Sequence, residues 1–507
     1  MRFKWRRRAL PAVALALLAT GCASTPDPPP EPTAAPSTSG ARPVAGVCAK
    51  PAPGPAKAPA GAVTVDPAKG GDLAAKTRSS PPGTTFWLKP GTHRLEANRY
   101  AQVIPKKGDR YLGAPGAVLD GRKTNQYAFG GTARDVTVSH LTVQNFVAPH
   151  DEGVVNHDSA DGWVIEHATI QRNSGAGLMA GARQQVRASC LRANGQYGMN
   201  AYKAGAPLKD LVIEGNEITG NNTGDWERRR EGCGCTGGVK FWAVDGADIR
   251  GNWVHDNRGA GLWADTNNND FRIENNVLED NDGAALMYET SYNAVIRKNT
   301  VRRNNWVEGR RYAEGGDSFP FATVYLSESG GEPRVHARTD KIEIYGNVLE
   351  DNWSGITLWE NADRFCNSPA NTSSGDCTLL TRDTDSCVRP AIAKAPLYSD
   401  CRWKTQRVDI HDNRFTLDKS VVKCTAKCDR MAVLSNYGTY PKWSPYKGEK
   451  VAEAITRSQH NRWHDNVYVG PWQFVVHDPS RVLDFGQWQD TPYRQDTGST
   501  LDPQAGG

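Results

Sequence analysis

Two acids end two neighbouring, partly copied stretches of this chain: GLWAD closes on Asp265 and ALMYE on Glu289, 24 residues later. Each stands 13 residues after an asparagine, Asn252 and Asn276 respectively. Three further stretches fit the same frame: GLMAG (177–181), GMNAY (198–202) and GVKFW (238–242). Read as strands, they turn Leu178, Met199, Val239, Leu262 and Leu286 inward by simple alternation. Met179, Asn200, Lys240, Trp263 and Met287 then face out, and so do Gly181, Tyr202, Trp242, Asp265 and Glu289. One outer surface thus collects two carboxylates, a lysine, an amide and several large rings.

FATVYLSE (321–328) and GITLWE (355–360) extend this surface. Glu360 stands 13 residues after Asn347, as Asp265 and Glu289 stand after their own asparagines. Counted by alternation, however, Trp359 takes the outward place and Glu360 lies one beyond; Glu328 carries the same ambiguity. Four acids on successive units of a stacked repeat would lie about 5, 10 and 14 Å apart. Carboxylates that close repel, so one of them holds a proton unless a cation neutralises it.

Such a set suits work on sugars. Glycoside hydrolysis needs one protonated carboxyl and a second carboxylate, about 5 Å apart for retention and about 6.5–9.5 Å for inversion. Asp265 with Glu289 approximates the first spacing, Asp265 with Glu328 the second. β-Elimination of a uronate needs a base instead. Lys240 would serve, with Ca²⁺ held by Asp265 and Glu289 against the substrate carboxylate. Tyr202, Trp242, Trp263 and Trp359, with the Asn200 amide, would bind the glycan through ring faces and hydrogen bonds. The pairs His150-Asp151 and His157-Asp158 read as rim or structural groups, and His255 and His411 as coil-bend residues.

The elements that must position these residues are given by an internal repeat. It reads VIEHATIQRN, LVIEGNEITGNN, ADIRGNWVHDN, FRIENNVLEDN, AVIRKNTVRRNN, IEIYGNVLEDN and VDIHDNRFT. Asparagines 173, 194, 216, 252, 276, 299 and 347 are spaced by 21, 22, 36, 24, 23 and 48 residues. The 36 reads as a unit with an insertion and the 48 as two units. Units this short cannot close a core alone and must stack. Leucine-rich repeats share the length but require leucine at framework positions, where Val, Ile and Asn stand here. Asn tolerates a left-handed bend, and stacked amides bond from coil to coil. The pattern resembles the right-handed parallel β-helix repeat family of the pectate-lyase-like superfamily. That resemblance implies an all-β solenoid with loop insertions over residues 63–495.

GGVKFW, GLWADTNN and YETSYNAVIRKN also resemble recurrent segments of such proteins. The Asn-Thr-Asp, Asp-Asp, Gly-His-Gly and Arg-Ile-Lys signatures of polygalacturonase-like enzymes are missing, as is the Arg-x-Pro-x-x-Arg segment of pectate lyases. The family therefore implies a fold and a column of side chains without naming a reaction. The expected function is cleavage of an extracellular polysaccharide by hydrolysis or uronate elimination. The competing expectation is a non-catalytic glycan-binding or structural envelope lipoprotein. Segments 221–237 and 306–320 enter just before column strands and the four-cysteine segment 361–404 leaves after one, so loops would wall the column into a groove.

The remaining sequence sets the compartment. Arg2, Lys4, Arg6, Arg7 and Arg8 precede an apolar run too short to span a bilayer, ending LLATGCAS. This resembles a lipoprotein-type signal over 1–21 with Cys22 as the lipidated residue, although Ala19 stands where leucine is usual. The expected location is the extracellular face of the cell membrane, held by a lipid anchor; release as a secreted protein is the alternative. Residues 22–62, rich in Pro and Ala, read as a disordered tether, and 496–507 as a flexible tail. FGQWQDTPYRQDTGST is expected to close the open solenoid end, where an unpaired edge invites association, and the chain to act as a monomer. Without the five leader bases, 56 basic residues face 56 acidic ones, which offers nucleic acid no electrostatic support. Ten cysteines besides Cys22 suggest disulfides; Cys233, Cys235, Cys424 and Cys428 lack the nearby histidines a zinc site would draw on, and Cys190 reads as a buried thiol.

Overall fold

A computed structural model describes residues 46–503, apart from 206, 230–236, 317–318, 369–376, 425–426, 440, 443 and 478–480. Cys22 and the leader lie outside the described residues, as do Cys233 and Cys235. Among the described residues, no helix is long and apolar enough to cross a membrane.

The repeat units wind into a parallel β-helix. Each coil contributes one short strand to each of three sheets, of 13, 13 and 11 strands. Strand pairing is parallel throughout the described residues except at Gln473–His477, which pairs antiparallel with Val482–Leu483 near the C-terminal end. Alternation does the sorting: in Phe271, Ile273, Ala294, Ile296, Ile342 and Ile344 the inward side chains of three successive coils stack register on register. All six are buried.

Two corners per coil carry asparagine ladders. One runs from Asn216 through Asn252, Asn276, Asn299 and Asn347 to Asn413 and Asn466. The other runs from Asn173 through Asn194, Asn221, Asn257, Asn281 and Asn304 to Asn352. The single series expected from sequence therefore crosses from one ladder to the other between Asn194 and Asn216. The 48 residues from Asn299 to Asn347 are one coil with insertions, not two units, because the two amides bond directly at 3.0 Å. The left-handed bend falls on the residue before the ladder asparagine: Gly215, Gly251 and Gly346 have φ near 60°, and Asn275 and Lys298 follow suit. Three glycines there remove the Cβ clash.

The amide supplies what the bend breaks. Asn276 Nδ2 donates to Asn299 Oδ1 at 3.0 Å and to the Ile249 carbonyl at 2.9 Å. Its Oδ1 accepts from the Asn252 backbone N–H and amide at 3.0 and 2.9 Å. Asn276→Ala would strand these buried groups, each at about 1–3 kcal/mol. We expect a loss of about 3 kcal/mol in denaturant unfolding, against a near-neutral change for an exposed asparagine-to-alanine control.

Both ends differ from expectation. Cys190 is not a free thiol: it is bonded to Cys48. The Trp87 indole donates to the Pro55 carbonyl at 3.0 Å, and His140 contacts the Ala52 carbonyl at 3.0 Å. The last part of the segment read as a tether therefore lies ordered against the coils. At the other end, Thr500–Asp502 is not a loose tail but the final strand of the second sheet, paired with Val467–Val469. Helix Phe485–Gln489 lays Trp488 across Phe474, with ring centroids 5.5 Å apart. Buried Asp496 accepts from Trp488 Nε1 and from Tyr468, which ties the last turns together. The cysteine-rich insertion is stapled by Cys366–Cys377 and Cys387–Cys401, and Cys424 pairs with Cys428.

Candidate active site

The third sheet presents the expected columns. Asn200, Lys240, Trp263, Met287, Tyr325 and Thr357 stand on consecutive strands in one register. Their inward neighbours Met199, Val239, Leu262 and Leu286 are buried. In the next outward column Glu289 aligns with Ser327, Trp359 and Tyr437. Asp265 follows Ala264, the partner of Tyr288, and so stands beside Glu289 one coil away, about 5 Å at the Cα atoms.

Lys240, Asp265, Trp263 and Glu289 form one connected unit. Lys240 Nζ lies 2.9 Å from Asp265 Oδ2 and 4.3 Å above the Trp263 ring. Trp263 Nε1 donates to Glu289 Oε2 at 2.6 Å. The second oxygen of Asp265 accepts from the Thr266 hydroxyl at 2.9 Å. Trp242 flanks the lysine at 5.9 Å. Asp265 and Glu289 are nearly buried yet keep an open edge, at 8% and 7% exposure, whereas Glu328 is fully covered.

Arg364, which the sequence reading missed, completes the unit. It enters from the first turn of the cysteine-rich insertion and places one guanidinium nitrogen 3.5 Å from Glu289 and 3.4 Å from Glu328. Burial works against its charge, but Glu328 and Glu289 hold it firmly protonated. The same burial raises the Glu289 carboxyl above its ordinary range; Arg364 pulls it back, and Asp265 pushes it further up. Burial likewise pushes Glu328 up to about 7, against the pull of Arg364. Glu328 reaches the cluster through a left-handed backbone, φ 43°, one residue past the column. There it accepts from the Ser327 hydroxyl and from the Asn361 N–H.

Glu360 is not part of this face. The corner before its strand, 353–355, is one residue shorter than the corresponding 282–285, since Leu286, Val324 and Ile356 share a register. Trp359 therefore takes the outward place and Glu360 turns away. It bonds the fully buried Arg402, the Thr405 N–H at 3.1 Å and Gln459 at 2.7 Å. Tyr202 is 42% exposed on the coil before Trp242, and Asn200 is buried at the start of the column.

A Ca²⁺ ion does not fit the donors expected to hold it. An ammonium occupies Asp265, a guanidinium and an indole N–H face Glu289, and calcium requires six to eight oxygens.

Among the described residues, part of the 306–320 segment lies against the later strands of the column. Helix Trp306–Glu314 carries Tyr312, which stacks on Phe321 at 4.8 Å. Phe319 meets Tyr325, Trp359 and Tyr437 edge-on at 6.1, 5.2 and 5.3 Å. The surface is thus divided: a lysine–tryptophan half before Glu289 and an aromatic half after it. His150 pairs with Asp151 at 2.6 Å, and His157 stacks on Tyr127 at 3.7 Å, both on early coils beyond the column. His255 bridges Glu217 and Asp256, and His411 stacks between Tyr345 and His464 on the outer faces of the other sheets.

One consequence of the Glu328 environment is measurable. Its folded pKa exceeds the unfolded value of 4.5, so the folded state binds the extra proton between these values. This contribution to stability is complete below pH 4.5 and lost as pH rises through about 7, amounting to about 3 kcal/mol. Glu328→Gln, which mimics the protonated form, is expected to remove that decline from a series of urea unfolding curves.

The description "Right handed beta helix region" matches residues 152–340. The architecture is that of a right-handed parallel β-helix. No curated protein matches this chain in sequence. Among solved structures, it is similar to the A-module of a mannuronan C-5 epimerase from Azotobacter vinelandii, at 13% identity and TM-score 0.41, covering 70% of this chain and 92% of that one. It is also similar to the catalytic unit of a thermostable α-1,3-glucanase from Streptomyces thermodiastaticus, at 11% identity and TM-score 0.48, covering 89% and 70%. These are likenesses of fold.

Proposed function

We propose that this β-helix protein hydrolyses an extracellular polysaccharide along the third sheet, with Glu289 as general acid and Asp265 as nucleophile. The observation that carries the reading is the difference between two adjacent carboxyls. Glu289 is held toward its protonated form by burial, whereas Asp265 is ion-paired with Lys240. Pairs of carboxyls whose surroundings differ in this way divide acid and base work between them. Their placement on adjacent coils suits a retaining displacement. Glu289 gives its proton to the glycosidic oxygen as Asp265 attacks the anomeric carbon and the leaving sugar departs. Water then attacks that carbon, returns its proton to Glu289 and frees Asp265. Lys240 and the Trp263 N–H fix the two carboxyls, and the rings of Trp242, Trp359 and Tyr437 line the chain's path.

Disulfides support work outside the cell, where they persist. The leader ending at Cys22 supports attachment by a lipid anchor on the outer face of the membrane.

Lys240 and Arg364, two cations inside the groove, favour a second reading, elimination on a uronate chain. One experiment separates the readings: the protein is incubated with a panel of neutral and acidic polysaccharides while reducing ends and unsaturated-uronate absorbance are followed. New reducing ends without absorbance are expected. Absorbance growing with reducing ends would replace hydrolysis by elimination, and no product from any glycan would leave a binding protein.

A further inference from the structure

On the first sheet, a column of basic side chains spans three successive coils. Ile342 pairs with Val408, and Asp409 with Arg462, so Lys341, Arg407 and His460 stand above one another on three successive coils. Backbone bonds confirm the stacking: the Ile342 N–H donates to the Arg407 carbonyl and the Arg407 N–H to the Gln459 carbonyl. With Asp409 and Arg462 they bound a cavity of about 200 Å³. Lys341 and Arg407, like charges on adjacent coils about 5 Å apart, repel each other.

The carboxylate inside the cavity does not neutralise the set. Asp409 Oδ2 is bonded by Lys341 Nζ at 3.2 Å, and its Oδ1 faces His464 Nε2 at 3.0 Å. Arg407 lies 3.5 Å from the exposed Asp340 and also acts electrostatically on Glu332. Arg462, exposed and directly above Asp409, has no ion-pair or hydrogen-bond partner among the described residues. Lys341, Arg407 and Arg462 thus border a space that Asp409 is the one carboxylate to line, too small for a whole oligosaccharide but sufficient for one charged group. A second cavity of about 470 Å³ shares Arg462 and adds Arg494 from the terminal segment. Asp465, paired with His464, lines that second cavity too, so two guanidinium groups there face one carboxylate.

We propose that this face binds the anionic groups of an acidic glycan, carboxylate or sulfate, independently of the catalytic groove. An acidic glycan carries its charges roughly one per sugar, which suits guanidinium groups placed on separate coils. Duplex nucleic acid, with one charge about every 1.7 Å, is held by dense basic surfaces instead, and this chain has balanced formal charge beyond its leader. Anchoring on such a polymer would keep the protein beside its substrate through a second, separate contact.

The test uses the full chain and four probes: polygalacturonate for carboxylates, dextran sulfate for sulfates, neutral dextran and duplex DNA. At least one acidic glycan is expected to bind, more weakly as salt rises from about 0.05 to about 0.3 M. Arg407→Gln/Arg462→Gln should weaken that binding about tenfold, while the exposed control Lys57→Gln leaves it unchanged. Because Arg462 is exposed and unpartnered, Arg462→Gln alone keeps the fold and should show part of the loss. Unchanged binding in the double variant, or DNA bound more tightly than either acidic glycan, would overturn the proposal.

Discussion

Glu289→Gln is expected to lower the turnover of a cleaved glycan about 10³-fold, within the range that one acid–base group supplies. The thermal transition should hold or rise. Glutamine keeps an oxygen for the Trp263 N–H and removes a carboxyl that burial already disfavours in its charged form. A loss of activity with the fold retained would separate chemistry from scaffold. The pH profile of the wild-type protein carries the same information. In the proposed mechanism Glu289 acts protonated, so the alkaline limb should lie above the ordinary carboxylate range, in the direction burial moves this group.

Arg364→Met is expected to have the largest effect on stability. One guanidinium serves two nearly buried carboxylates, and removing one member of a buried pair typically costs about 3–5 kcal/mol. The loss should depend on pH in a defined direction. Without Arg364 both carboxyls rise further, so the folded state takes up protons that the unfolded chain releases above about 4.5. The deficit should be small at pH 5, where the carboxyls can stay protonated, and full at pH 8. Chemical unfolding at the two pH values measures it, and equal losses at both would show that Arg364 acts by packing alone. In the same variant the alkaline limb of activity should move upward.

Much of the site was legible because β-helix alternation is strict. Leu178, Met199, Val239, Leu262 and Leu286 stack inward as their spacing implies. The outward sets, including Lys240, Trp263, Asp265 and Glu289, follow from that. Alternation also outperformed counting from asparagines at Glu360, because counting assumes corners of constant length and the corner at 353–355 is one residue shorter. The ladders were seen but merged, since two asparagine corners in one coil look alike in sequence. Glu328 needed a left-handed residue that nothing in SESGG announces. Arg364 belongs to an insertion, whose path no repeat dictates; its one signal was position, the first basic residue after the last acidic column strand. Order at both ends was also hidden: Cys48 offers no sign of a partner 142 residues away.

The central claim is that Asp265 and Glu289 divide nucleophile and acid between them. The most direct measurement is intact and peptide mass spectrometry of Glu289→Gln after exposure to an aryl glycoside of the sugar that the panel identifies. An activated leaving group departs without an acid, and the missing base slows the release of the intermediate. The peptide containing Asp265 should gain one glycosyl unit, and Asp265→Asn should abolish it. An Asp265→Asn protein that still cleaves its glycan at the wild-type rate, with no adduct on this peptide, would contradict the account.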